Sequence, residues 1–323
     1  MRINRIAALC AAAALSVLLC GCAGAGTGEV STGAGTAETE TEKIEITETG
    51  FQETEEKETD IVTEELTTAA ETEELTTAEA TEAETSMETE VETSKETGGE
   101  PVRLRIATYN IKHAAEGETS IAEVIKAMGA DIVGVQEVDY LNTRSGGRNQ
   151  PKLIADAAGM PYYKFTRAID YKGGQYGTLI LSKYPITEYE TVQLYSGGNE
   201  GRAVGHAVID VNGIRLDFFN THLSYEATDV RLTQLEKIGE LTSGCRRFIV
   251  TADFNSAAFA EFEPVGATYM VNFFGRELVT FPSKGSAIDN ILLSDGIEPG
   301  DCGTVTESFS DHRPLWSDVE LYP

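Results

Sequence analysis

The chain has 323 residues and a formal net charge of −28, a length that suggests about two domains. Its acidity is concentrated: residues 23–100 carry 24 Asp and Glu against 3 Lys, residues 101–323 carry 29 acids against 20 bases, and the first 22 residues carry two Arg. A chain this acidic has no long-range field to draw it onto nucleic acid, which argues against architectural DNA binding. The residues after Glu100 are numerous enough to bury a sizeable core.

Met1 to Cys22 reads as an export signal: Arg2 and Arg5, an apolar run from Ile6 to Leu19, then Leu19-Cys20-Gly21-Cys22. The apolar run is short and Ala-rich for a bilayer span. That ending resembles a bacterial lipoprotein signal, which implies lipidation of Cys22, a stable anchor, and a place on the extracellular face of the bacterial cytoplasmic membrane. Residues 23–100 are rich in Thr and Glu, with short echoes such as Glu64-Glu65-Leu66-Thr67-Thr68-Ala69 and Glu74-Leu75-Thr76-Thr77-Ala78. Few large apolar residues and dense single-sign charge predict a disordered, self-repelling tether. An adhesive or glycosylated stalk is the other reading, disfavoured because Pro is absent and acids are dense. The folded domain is expected over 101–323. It contains Cys245 and Cys302, which in an exported protein can pair, although two cysteines alone do not specify a disulfide.

Within that domain the first predicted strand is Val102 to Tyr109. Ser120-x-x-Glu123 reads as a capping box, after which Ile121, Val124, Ile125 and Met128 share a helical face that Gly129 closes. A buried strand follows over 131–138, and then a helix from Pro151 to Ala158 closed by Gly159. Further strands are expected over 178–181, 186–194, 203–211 and 214–221, the last two joined by an Asn212-Gly213 hairpin turn. Asp229 to Leu241 is expected to be helical with Leu232, Leu235, Ile238 and Leu241 on one side, and strands at 248–252, 287–293 and 315–321 complete the chain. Strand-rich segments with few helices predict two packed sheets flanked by helices.

Polar residues recur where these strands finish. Asn110 follows Thr-Tyr, Gln136-Glu137 follows Ile-Val-Gly-Val, and His222 follows Phe-Phe-Asn-Thr. Asp253 and Asn255 follow Ile-Val-Thr-Ala, Asp289 sits in Ser-Ala-Ile-Asp-Asn-Ile-Leu-Leu, and Asp311-His312 precedes Arg-Pro-Leu-Trp. One acid at a strand end is ordinarily a solvated turn residue; this many at such ends predict a shared pocket. Carboxylates and an amide oxygen are hard ligands suited to Mg²⁺ or Mn²⁺ rather than zinc. A divalent ion with two histidines and several acids fits hydrolysis of a phosphate ester. Paired carboxylates can also serve a glycosidase, but that reaction needs neither the Asn nor the two histidines.

The segments Thr-Tyr-Asn110-Ile, Gln136-Glu137-Val-Asp, Asn-Thr-His222-Leu, Asp253-Phe-Asn255, Ile-Asp289-Asn-Ile-Leu and Ser-Asp311-His312-Arg-Pro resemble, in order and rough spacing, those of the endonuclease/exonuclease/phosphatase (deoxyribonuclease-I-like) superfamily. The likeness runs from about Arg103 to Leu321. The stretch from Tyr171 through Tyr176 to Ile186 further resembles the small secreted metal-dependent hydrolases within it. This resemblance implies an α+β fold, a four-layer αββα sandwich of two mainly antiparallel sheets flanked by helices. It implies Glu137 as principal metal ligand with Asn110 and Asp311 close by. Asp253 and Asn255 would orient the attacking water and a phosphoryl oxygen. His312, paired with Asp289, would act as base or transition-state stabiliser, and His222 would stabilise charge or protonate the leaving oxygen. One departure stands out: Ala252 occupies the position before Asp253 where the family usually has Gly.

For the substrate, Arg144 and Arg148 are the better candidates, since guanidinium matches phosphate in bidentate fashion, and Tyr176 is a weaker substrate-binding candidate. Arg202 ranks with Tyr176, while His113 reads as a loop residue and His206 as structural. The acidic domain favours a phosphorylated small molecule or phospholipid headgroup over nucleic acid. No apolar projecting loop of the kind a lipid substrate needs stands out, and Val271-Asn-Phe-Phe274 is the nearest candidate. The expectation is a monomeric, Mg²⁺-dependent, surface-anchored phosphoesterase acting on a mono- or diester. A non-catalytic surface module on the same fold, or a secreted nuclease, is the alternative.

Overall fold

The computed structural model describes residues 99–323. Cys22, the export signal and the predicted tether lie outside the described residues. Along the chain, the first half supplies β1 (Val102–Asn110), α1 (Glu118–Met128), β2 (Ile132–Tyr140), α2 (Gln150–Ala158), β3 (Tyr162–Tyr171) and β4 (Gly174–Ser182). There follow β5 (Ile186–Leu194), β6 (Arg202–Val211), β7 (Ile214–His222), α3 (Thr228–Thr242) and β8 (Phe248–Asp253). Last come β9 (Tyr269–Met270), β10 (Asp289–Leu293), β11 (Ile297–Thr304) and β12 (Leu315–Leu321). The strands form two six-stranded sheets, ordered β11-β12-β1-β2-β4-β3 and β5-β6-β7-β8-β10-β9.

Each sheet is antiparallel except for one parallel pair, and those two pairs position the site. A parallel pair needs a long crossover, normally a helix. The α1 segment supplies it between β1 and β2, and α3 between β7 and β8. Both pairs end in register, with Asn110 opposite Gln136 in one sheet and His222 opposite Asp253 in the other. β10 begins at Asp289, itself opposite Asp253.

Three buried clusters make this a four-layer αββα sandwich. Ile106, Ile132 and Ile180 of one sheet meet Ile209, Phe218 and Ile249 of the other. Ile121, Ile125 and Ile154 of α1 and α2 cover the outer face of the first sheet, over Tyr109 and Val135. Leu235 and Ile238 of α3 cover the second, over Phe219 and Val250. Gly134 marks the tightest approach between the sheets: a Cβ there would fall 2.1 Å from Thr251 Oγ1 and 2.4 Å from Asn220 Oδ1.

Several local expectations are corrected. α1 starts two residues before Ser120, at Glu118 behind Gly117, whose φ of 96° favours glycine. Ser120 therefore lies inside the helix, and its hydroxyl donates back to Glu116 O at 3.2 Å. On α3, Leu232 faces solvent, while Arg231 and Gln234 are buried. Arg231 forks onto Glu261 at 2.8 and 3.1 Å, and Gln234 bonds Ser224 N and Tyr195 O. The inward stripe is thus mixed polar and apolar. β3, β9 and β11 are strands that the sequence pattern does not announce. β3 and β11 lie at sheet edges with mostly partly exposed side chains, and β11 carries Pro299, Gly300 and a register shift. Cys245 and Cys302 are both free thiols.

Candidate active site

The polar residues that end the two parallel pairs converge at one rim of the sandwich, where six of them form a continuous chain of contacts. Asn110 Nδ2 donates to Glu137 Oε1 and to Asp253 Oδ2, both at 3.0 Å. Asp253 Oδ2 also lies 3.4 Å from His222 Nε2 and 3.7 Å from His312 Nε2. His312 Nδ1 bonds Asp289 Oδ2 at 2.9 Å, and Phe281 packs its ring 4.7 Å from the imidazole. Asn255 completes the set through its backbone, whose N–H donates to Asp253 Oδ1 at 2.9 Å, while its side-chain amide donates to Leu223 O at 3.0 Å.

Local backbone geometry aims these groups. Glu137 sits at a register shift in β2 with φ 58°, a left-handed conformation that costs a non-Gly residue about 1 kcal/mol or more. The strain is held by the strand on either side. Asn255 has φ 52° in the turn after β8, which Asn tolerates better than most residues.

Asp311 is reached less directly. Its Oδ2 lies 3.1 Å from Lys112 Nζ, and the Lys112 backbone N–H donates to Asn110 Oδ1 at 3.1 Å. Ser310 Oγ donates to Asn110 O at 2.8 Å and accepts from His312 N at 3.2 Å, which ties the loop before β12 to the end of β1. Ala252 is fully buried in the core beneath the site, so its methyl is accommodated where the family pattern has Gly.

Burial and charge set the proton states. Burial and neighbouring Asp289 raise the pKa of Asp253, partly offset by His312 and the Asn110 hydrogen bond. Burial disfavours the His312 imidazolium, but the hydrogen-bonded Asp289, Asp253 and Asp311 outweigh it and push this histidine up to about 10. Burial drives His222 well below its ordinary value, and the positive charges of Arg202 and His312 add to that. One imidazole is therefore cationic and the other neutral at pH 7, a division of labour typical of acid–base sites.

The predicted substrate residues are spread more widely. Tyr176 is buried with its phenol raised in pKa by burial and by Glu137. Arg144 forks onto the buried Asp139 at 3.0 and 2.6 Å and lies over Tyr171 and Tyr176, so most of its donors are committed. Arg148 pairs with Glu118 at 2.9 Å, at the start of α1, and makes no contact with the rim residues. His113 lies close enough to Arg144 and Glu137 to feel both charges. His206 is held between Asp217 and Glu190, at 2.9 and 3.1 Å, away from the rim.

Two residues inside the motifs, Gln136 and Asn220, and the weaker candidate Arg202 take places at the site that the local pattern did not assign. Gln136 and Asn220 join the two sheets through a 2.7 Å hydrogen bond, supported by Thr108 and Thr251. Asn220 also holds Val135 O and Leu179 O. Arg202 is buried, pairs with Glu200 at 2.8 Å, and keeps its Nε without a partner. An arginine before a strand looks in sequence like any surface arginine; only its burial beside His222 distinguishes it.

The donor set fits a small divalent cation. Asp253 and Asp289 present carboxylate oxygens close to one another, and Asp289 Oδ1 is buried with no hydrogen-bond partner; His312, protonated on both ring nitrogens, is a donor there and not a ligand. Glu137 and Asp311 add carboxylates on the solvent side. Hard oxygens outnumber nitrogens, and among the described residues no cysteine joins the group.

A four-layer sandwich with carboxylates, amides and two histidines at its rim defines a metal-dependent phosphoester hydrolase. The chain belongs to the endonuclease/exonuclease/phosphatase family, whose sequence profile matches residues 107–312. Among solved structures, it is similar to an endonuclease/exonuclease/phosphatase from Beutenbergia cavernae, with TM-score 0.58 and 19% identity over 68% of this chain and 72% of that one. It is similar to the mannosyl-6-phosphatase of Bacteroides thetaiotaomicron, with TM-score 0.54 and 19% identity over 67% and 99% of the two chains. D. rerio TDP2, complexed with a single-strand DNA product, gives TM-score 0.54 and 16% identity over 67% and 98%. No curated protein matches the chain.

Proposed function

We propose that this protein is a Mg²⁺-dependent phosphoesterase that hydrolyses a phosphomonoester or phosphodiester by in-line attack of water, anchored to the outer face of the bacterial cytoplasmic membrane through Cys22. The observation that carries the reading is the unbroken chain Glu137–Asn110–Asp253–His312–Asp289 at the rim. Glu137, with Asn110 and Asp311 beside it, would hold the metal ion. Bound there, the ion supplies Lewis-acid stabilisation of charge on phosphoryl oxygens.

The protein's own groups divide the remaining work. Asp253, fixed by Asn255 N–H on one oxygen and by Asn110 on the other, takes a proton from the attacking water. Its raised pKa makes it a stronger base than an ordinary aspartate. His312, kept cationic by Asp289, already carries its proton and serves as a fixed donor to the phosphoryl oxygens. Neutral His222 hydrogen-bonds the leaving group. Asn255, with its side chain tied to Leu223 O, holds the turn that keeps these groups in place.

For the substrate, a small phosphorylated molecule or a phospholipid headgroup fits the acidic domain better than nucleic acid. The similarity to a mannosyl-6-phosphatase agrees with a small phosphorylated sugar, and a monomer suffices because every group comes from one chain. Arg144, Arg148 and Tyr176 remain the proposed substrate contacts; Arg144 and Arg148 would exchange part of their pairing with Asp139 and Glu118 for phosphate oxygens.

The test is phosphorus NMR of the purified protein with a pool of phosphomonoesters and phosphodiesters and Mg²⁺, with and without EDTA. EDTA-sensitive loss of particular resonances, absent in Glu137→Ala, is the expected result. Loss of the same resonances in EDTA would refute the metal-dependent reading.

A further inference from the structure

The opposite end of the second sheet holds a cavity of about 590 Å³ that takes no part in the rim site. It is lined by His206, Arg215, Asp217, Cys245, Arg246 and Arg247, among others. β7 starts at this cavity and ends at His222; β8 starts beside it, after Arg247, and ends at Asp253. At ~3.3 Å per residue, the two sites lie roughly 20 Å apart along the strands.

Its charges do not balance. Asp217 is saturated: Arg215 donates to it at 2.9 and 3.1 Å, and His206 Nε2 lies 2.9 Å away. Both ring nitrogens of His206 face carboxylates, Asp217 on one side and Glu190 on the other. The His206–Asp217–Cys245 trio therefore has its carboxylate and imidazole already committed and offers a cation little. Arg246 and Arg247 are different. Neither guanidinium has a carboxylate or hydrogen-bond partner among the described residues, yet Arg247 is only 7% exposed. No nitrogen of the Arg247 guanidinium is both shut off from solvent and unpaired, so what is covered is mainly its aliphatic stem, and the charged head opens at the cavity. Burial and the adjacent Arg246 both lower its pKa, as expected where no carboxylate offsets them. In a domain with an acidic excess, two adjoining uncompensated guanidinia at a cavity are a feature in need of an anion.

We propose that this cavity is a second ligand site, which binds a small anion of the phosphate class through Arg246 and Arg247. Two neighbouring guanidinia present paired N–H donors that match tetrahedral oxyanions in bidentate fashion, and a phosphate dianion restores the missing charge. The cavity is larger than inorganic phosphate requires and accommodates a phosphorylated small molecule. The site stands independently of the reaction assigned to the rim.

The probe is inorganic phosphate, titrated calorimetrically into the full-length protein in EDTA, so that a metal-dependent rim site does not contribute. Saturable one-to-one binding is expected in the wild type and equally in Glu137→Gln, with affinity at least ~10-fold weaker in Arg246→Glu. Arg247→Gln is expected to abolish binding. Because Arg247 is buried and its variant can misfold, exposed Arg246 supplies the decisive arm. Absence of saturable binding in the wild type would overturn the proposal, as would unchanged affinity in Arg246→Glu.

Discussion

Asn110→Asp tests the geometry of the rim most directly. The amide of Asn110 donates two hydrogen bonds of 3.0 Å, one to Glu137 and one to Asp253, and aspartate replaces that donor with a third carboxylate between them. Hydrogen bonds to charged groups contribute about 1.5–3 kcal/mol each, so losing both costs ~3–6 kcal/mol before like-charge repulsion. Uptake of a proton by the crowded cluster limits the added cost. For a domain of this size, 1 kcal/mol shifts Tm by about 2–4 °C, so Tm in EDTA at pH 8 is expected to fall by at least ~6 °C. Three adjacent carboxylates also attract a divalent cation, so adding Mg²⁺ is expected to recover much of the loss and to raise Tm more in the variant than in the wild type. Calorimetric melting of both proteins, with and without Mg²⁺, reads each quantity. A variant as stable as wild type in EDTA would show that the amide does not bridge those carboxylates. A loss that Mg²⁺ leaves unchanged would show that they do not face a cation site.

Three further outcomes follow from named contacts. Glu137→Ala and His312→Ala should each lower phosphoesterase turnover at least ~100-fold while far-ultraviolet circular dichroism keeps its wild-type shape; wild-type turnover in both would remove the site assignment. Gly134→Ala drives a methyl into Thr251 and Asn220 between the sheets and should destabilise by ~2–3 kcal/mol in urea unfolding; a neutral result would mean the two sheets do not meet there. His206 has its pKa raised: burial opposes the charged form, but its hydrogen bonds to Asp217 and Glu190 outweigh that. A raised folded pKa stabilises below the unfolded value near 6.5 and is lost as pH rises through the folded value. The stability gap between wild type and His206→Gln should therefore narrow from pH 6 to pH 9, and a gap that widened would reverse the sign of the argument.

Much of the site was legible because its chemistry ends strands. Asn110, Glu137, His222, Asp253, Asp289 and Asp311-His312 each stand at a recognisable place in the local pattern, and their order along the chain indicated both the fold and the kind of reaction. The strand assignments succeeded where burial imposes a sharp apolar run, as in β2, β7 and β8. They failed for β3 and β11, whose edge positions leave side chains half-exposed and erase the alternation. The helix α3 forms where expected, but its inward face differs, because the buried Arg231 and Gln234 are satisfied by Glu261, Ser224 and Tyr195, partners from elsewhere in the chain.

By itself the sequence determined which residue types stand at strand ends, that most of the acidity precedes the folded domain, and that the domain belongs with hydrolases of phosphate esters. Only the tertiary structure decided that two parallel strand pairs end in register at one rim, and that Asn110 therefore spans Glu137 and Asp253. It also separated the arginines: Arg144 and Arg148 are paired with Asp139 and Glu118, Arg202 is buried beside His222, and Arg246 and Arg247 face a remote cavity without partners among the described residues. The physical reason is common to all of these. Local pattern reports which way a side chain faces relative to its own strand or helix, whereas ionisation, hydrogen-bond satisfaction and access depend on neighbours that arrive from distant parts of the chain.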